Sequence, residues 1–130
     1  MARSVFEGVT IWHEFMCLDR ERSEAFYREV AQLSTAPVEV GPVTYTLWLQ
    51  DGRPVGALVP LGAEREAWPS GSTPHWLTSF AVDDVDHAVD KALKLGAEVL
   101  MAPVDIPEFG RSAILRDPEG AAFGLFQRPK

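Results

Sequence analysis

The chain has 130 residues, 46% of them hydrophobic, which is about one domain's worth with material for a real core. A net charge of −7 and a pI near 4.9 argue against nucleic-acid and anionic-membrane partners, and Lys and Arg are scattered rather than clustered. The single cysteine, Cys17, excludes an internal disulfide. With no signal-peptide-like start it predicts a reducing, cytoplasmic setting, and no apolar run approaches the roughly 20 residues of a membrane helix.

Residues 1–8 form a polar lead-in. Val9 to Cys17 is rich in β-branched and aromatic residues and predicts a strand. Asp19 offers a helix N-cap, and Ala25, Phe26, Tyr27 and Val30 give the following helix an apolar face to about Val30. Ser34-Thr35-Ala36-Pro37 breaks it. Three strands follow over about 36–40, 43–50 and 53–60, joined by Gly41-Pro42 and Asp51-Gly52. Residues 61–74 hold Gly62, Pro69, Gly71 and Pro74 and read as a linker.

The pattern then restarts. His75 to Val82 reads as a strand, and Asp83-Asp84 places acids at a helix start. Val85, Ala88, Val89, Ala92, Leu93 and Leu95 recur at helical spacing, with Gly96 as C-cap. Strands follow over about Glu98–Ala102, Arg111–Arg116 and Ala121–Gln127. The last two flank Asp117-Pro118-Glu119-Gly120, where Asp caps its own backbone, Pro sets φ and Gly accepts a conformation closed to other residues. The hairpin around Asp51-Gly52 is a weaker copy: aligned on the turn glycine, Gly52 matches Gly120, Val55 matches Phe123 and Gly56 matches Gly124. Both halves thus read β-α-β-β-β, giving an α+β fold of two tandem modules over residues 1–60 and 75–130. A helix on one face of each mixed sheet leaves the other face to be covered, and two modules facing each other around a cavity would do so.

The doubled pattern, Phe15-Met16-Cys17-Leu18-Asp19 with Phe26-Tyr27, the run Phe80-Ala81-Val82-Asp83-Asp84-Val85-Asp86 to Leu95-Gly96-Ala97, and the ending Asp117-Pro118-Glu119-Gly120 to Leu125-Phe126 resemble the vicinal oxygen chelate superfamily. That group includes glyoxalase I, bleomycin-resistance proteins and extradiol dioxygenases. Trp12-His13-Glu14-Phe15 and the glycine-rich last strand resemble its glyoxalase-like or hydroxylase-like branch. The resemblance implies βαβββ modules forming an open, cupped mixed-sheet barrel, commonly as a homodimer, and does not fix a reaction.

The resemblance also implies metal ligands on the first and last strand of each module, the last-strand ligand being a Glu four positions after the turn glycine. Those positions fall on Gly56 and Gly124, and the first-strand positions near Trp12 and Leu77. None is a donor. His13, His75 and Glu14 make the best alternative set, but His13 and Glu14 are strand neighbours and point to opposite faces. The expectation is therefore no metal cofactor, with a divalent ion on His13 and His75 as the lesser alternative. Strand alternation puts Trp12, Glu14 and Met16 on one face, and the resemblance turns that face to the cavity. Leu77 and Ser79 join them from the second module, with Ala122, Gly124 and Phe126 on its last strand, and Trp48 and Gly56 from the first. Such a pocket suits a small, flat or apolar molecule.

Glu14 is the candidate catalytic group, because an apolar cup raises a carboxylate's pKa and suits it to proton transfer. It reads equally as a structural carboxylate. The expected function is binding of a small molecule, as in bleomycin-resistance proteins. The alternative is an enzyme, either metal-free with Glu14 as proton carrier or a metal-dependent lyase or dioxygenase.

Overall fold

The computed structural model describes residues 8–40, 43–61, 73–106 and 110–128. The predicted Gly41-Pro42 junction and residues 62–72 of the predicted linker lie outside them. The element order is β1 (Ile11–Cys17), α1 (Arg20–Ala31), β2 (Ser34–Val40), β3 (Val43–Gln50), β4 (Arg53–Pro60), β5 (His75–Ala81), α2 (Val85–Lys94), β6 (Glu98–Ile106), β7 (Gly110–Arg116) and β8 (Ala122–Gln127). The α+β class and the doubled βαβββ order therefore hold. No helix among the described residues is long and apolar enough to cross a membrane.

The chain divides into two compact units, His13–Trp76 on one hand and Met1–Trp12 with Leu77–Lys130 on the other. In the first, the strand order is β2-β3-β4-β1, and β1 runs parallel to β4. In the second it is β5-β8-β7-β6, with β5 parallel to β8. Within each unit the remaining pairings are antiparallel. The short stretch before β1 is tied to the second unit: Ala81 N donates to Thr10 O at 2.9 Å and Arg128 Nη1 to Val9 O at 3.2 Å.

Both helices start where a carboxylate can accept from the backbone. Asp19 Oδ1 accepts from Arg22 N at 3.1 Å, and Asp84 Oδ1 accepts from His87 N at 3.0 Å. α2 ends at Leu95, and Gly96 follows with φ of +101°, where Ala97 N reaches back to Ala92 O. Pro37 sits inside β2, an edge strand, where its missing N–H breaks no ladder.

The two helices pack differently. α2 buries Val85 and Val89 on Ala113, Leu115 and Leu125, and each fully buried side chain contributes about 1.5–3 kcal/mol. No residue of α1 is buried, and Phe26 and Val30 stand 55% and 65% exposed. Its inward contact is Tyr27, which meets Phe15 and Trp48 edge-on at ring-centroid distances of 5.3 and 5.7 Å. The core there is Phe15, Cys17, Trp48 and Leu58.

The two hairpins also differ. Asp51 and Gly52 both have positive φ, the two-residue turn that matches strand twist. The second hairpin closes across five residues, with Arg116 opposite Ala122. There Asp117 Oδ1 accepts from Glu119 N and Ala121 N, both at 2.9 Å. A bulge between Trp48 and Leu49 then shifts the first hairpin again: Leu49 faces Pro54 while Trp48 faces Gly56. The repeat alignment on the turn glycines is therefore off by one. Gly56 shares the helix side with Leu58, whereas Gly124, between Phe123 and Leu125 of the α2 core, lies on the helix-free side. Ala57, opposite Glu14, takes the place that Gly124 takes opposite Ser79.

Each of these glycines sits where two strands come close. A Cβ at Gly56 would collide with the backbone carbonyl of His13, and one at Gly124 with the Ser79 side chain. Backbone cannot swing aside as a side chain can. Gly56→Ala is expected to lower stability by about 1–3 kcal/mol in urea unfolding. Gly52→Ala, which has open space but a φ of +77°, should cost about 1 kcal/mol.

Candidate functional site

The sequence-predicted site residues fall into two groups. On the helix-free face of the His13–Trp76 unit, Met16 is fully buried and Glu14 half-buried, with Ala57 beside Glu14 in the strand register. In the other unit Leu77 is fully buried, Ser79 and Phe126 are buried, and Ala122 is half-buried. Trp12, grouped with that unit, is also buried. Register places Ser79 opposite Gly124 and Ala81 opposite Phe126. These faces offer apolar walls, the Glu14 carboxylate and the Ser79 hydroxyl.

Trp48 and Gly56 belong to the other side of their sheet. Both line a pocket of about 340 Å³ with His13, Leu33, Gln50, Val55 and Trp76. The expectation that Trp48 and Gly56 share a face with Glu14 and Met16 is corrected by Trp48 packing with Phe15, Cys17 and Tyr27. The cause is the bulge, which changes which side of β4 a given residue meets. Trp76 and Tyr27 are not among the site residues expected from the sequence, where Tyr27 counts only as part of the helix's apolar face. Their signal was the alternation of β5, which puts Trp76 on the opposite face from Leu77, and the helical spacing that turns Tyr27 inward. The Trp76 indole donates to Tyr27 Oη at 3.1 Å. The Trp48 indole N–H is buried with no acceptor among the described residues, a state that costs about 1–3 kcal/mol.

His13 is exposed on the rim of that pocket, and His75 is half-buried with Nδ1 2.7 Å from Thr73 O. Among the described residues no three His, Cys, Asp or Glu side chains gather as a metal site would need. At Gly124 the volume a ligating side chain would enter is occupied by Ser79, and Trp12 and Leu77 have no metal-binding atom. Among the described residues, the side chains at these positions do not offer the donors that such a metal takes.

Paired βαβββ modules, each with its first and last strands parallel, define a protein of the vicinal oxygen chelate class. Residues 11–126 match the glyoxalase-like domain family, and the chain belongs to it. It is 35% identical over 125 residues to a Mycobacterium tuberculosis protein named for a glyoxylase, CFP32, covering 93% of this chain and 46% of the relative. It is 37% identical over 137 residues to the anthracycline biosynthesis protein DauV of a Streptomyces species, covering 96% of this chain and 46% of that protein. The chain thus spans about half the length of the curated relatives it matches. Among solved structures, methylmalonyl-CoA epimerase from Mycobacterium tuberculosis aligns at a TM-score of 0.63 and 12% identity, covering 100% of this chain and 93% of that one. The Streptomyces coelicolor epimerase with a bound 2-nitronate-propionyl-CoA aligns at 0.60 and 20% identity, covering 93% and 97%. At these identities the likeness is one of fold.

Cys17 lies in the first unit's core at 1% exposure. Burial pushes its thiol pKa up, with Arg20 opposing and Asp19 and Glu24 adding to the rise. A thiol so placed is a poor nucleophile. In a disulfide-exchange assay at pH 8 it should react at least about tenfold more slowly in the folded protein than in urea.

Proposed function

We propose that this glyoxalase-like chain binds a small organic molecule against its helix-free sheet faces, without the superfamily's metal. The observation that carries this reading is Ser79 against Gly124, which fills the space of the last-strand carboxylate and leaves an uncharged, hydroxyl-bearing wall. In the unit that holds Ser79, Leu77, Phe126 and Trp12 are buried and apolar, the kind of lining such sites use. Two relatives named for anthracycline biosynthesis and two named for a glyoxylase support a small organic ligand rather than a macromolecule. A homodimer, which the superfamily resemblance implies, is part of this reading.

The second reading is metal-free proton transfer by Glu14, favoured by its half-buried place on the same face of β1 as buried Met16 and opposite Ala57. A carboxylate with apolar neighbours is suited to that role.

Tag-free protein should carry well under one divalent metal per chain by mass-spectrometric elemental analysis, and chelation should leave its Tm unchanged. A thermal-shift panel of aromatic, glycopeptide and cationic compounds should contain at least one that raises Tm by several degrees, as binding well above Kd does. Near-stoichiometric metal, or silence across the panel, would reject the binding reading. Once a turned-over compound is in hand, Glu14→Gln should cut kcat by about 10²–10⁴-fold if Glu14 moves the proton. Unchanged turnover would leave Glu14 a structural carboxylate.

A further inference from the structure

The helix side of the His13–Trp76 unit is built unlike its repeat. In the second unit α2 packs Val85 and Val89 over Leu115 and Leu125, Phe123 packs against them half-buried, and the pocket of about 380 Å³ beside Phe123 is lined by Asp83, Asp84, His87 and Lys91 with apolar residues. In the first, Trp48 stands where the repeat has Leu115, and Gly56 where it has Phe123: the register pairs Trp48 with Gly56 and Leu115 with Phe123. A ring is missing at Gly56, and α1 buries no residue to replace it. Beside Gly56 lies the pocket of about 340 Å³ between Leu33, Val55 and the indoles of Trp48 and Trp76, at the lower end of the roughly 300–1,000 Å³ that small-molecule sites occupy; unlike the one in the repeat, its described lining carries no Asp, Glu or Lys.

We propose that this pocket is a second binding site, on the opposite side of the sheet from Glu14, for a planar fused-ring molecule carrying a carbonyl-type hydrogen-bond acceptor. The volume left by the absent ring sets the shape. The Trp48 indole sets the chemistry: the side chain is 1% exposed, and its Nε1–H meets no acceptor among the described residues. The neighbouring Trp76 Nε1–H is already used by Tyr27 Oη, so the spare donor belongs to Trp48. Trp76 is 42% exposed and leans on Trp48 at 6.0 Å between ring centroids, tilted by 38°. It forms the movable wall, and turning it aside brings an entering acceptor to the Trp48 N–H while its own ring stacks on the ligand. Among the described residues His13 and Gln50 are the polar lining side chains and no carboxylate lines the pocket, which suits a neutral ligand.

The test uses the full chain with ¹⁵N-labelled indoles and two probes, coumarin, which has a carbonyl acceptor, and 1-methylindole, which has none. The Trp48 Nε1–H resonance is identified by its loss in Trp48→Phe. Coumarin should move that resonance downfield saturably, and 1-methylindole should perturb Trp76 without that downfield move. Trp48→Phe, which keeps a ring and removes the donor, should weaken coumarin about tenfold and leave 1-methylindole within about twofold. Val55→Trp, filling the pocket from β4, should abolish both. If Trp48→Phe unfolds, the wild-type titration and Val55→Trp still decide. The proposal is overturned if millimolar coumarin leaves the Trp48 and Trp76 resonances unmoved. It is equally overturned if the shifts fall on Trp12 alone, which would place the probe on the helix-free face, or if Val55→Trp binds as well as wild type.

Discussion

The rest of the structure depends on how closely the first and last strands of each module approach one another. Parallel β1–β4 and β5–β8 pairs bring the strands so near that residues 56 and 124 have no room for a Cβ. At Gly124 the volume is taken by Ser79, a side chain on the helix-free face, where the superfamily's carboxylate would project. At Gly56 it is taken by the His13 carbonyl, and the glycine opens space on the helix side instead. One residue type thus has different consequences in the two copies: Gly124 makes room for the Ser79 side chain, and Gly56 lines a pocket on the helix side.

That asymmetry extends to the helices. The repeat predicts two equivalent βαβββ modules, yet α2 seats Val85 and Val89 in an aliphatic core while α1 reaches its sheet through Tyr27. The sequence difference is small. α2 offers β-branched residues one turn apart, whereas α1 carries an aromatic pair, Phe26-Tyr27, of which one ring turns in and the other out. An aromatic cluster of Phe15, Tyr27, Trp48 and Trp76 therefore does in the first unit what aliphatic packing does in the second. Rings packed edge-on leave gaps that branched aliphatic side chains fill.

Family membership and chemistry separate at this point. The glyoxalase-like match covers residues 11–126, and the fold is shared with epimerases at 12–20% identity. Neither fixes a reaction, because the fold hosts several. What bears on chemistry is local: Glu14 half-buried on the helix-free face, Ser79 against Gly124, and no three metal-binding side chains together among the described residues.

Much was legible in the sequence by itself. Turn chemistry at Asp117-Pro118-Glu119-Gly120, the Asp19 and Asp84 caps and the restart of the pattern at His75 gave the element order, because these signals are local and act through the backbone of a few neighbouring residues. Alternation along β1 separates Glu14 and Met16 from Phe15 and Cys17, which pack in the helix-side core, because the β1–β4 register runs unbroken from His13 to Cys17. What only the tertiary structure decided was the phase of β4 and β3. A two-residue turn replaces a five-residue one, and a bulge adds one more residue, so counting from the turn glycine lands Gly56 on the wrong face. A bulge depends on how a strand meets its partner, and no residue of β4 announces it in isolation. For the same reason the aromatic pocket was not visible: Leu33, Trp48, Val55 and Trp76 are distant in sequence, and only the folded sheet brings them to one wall.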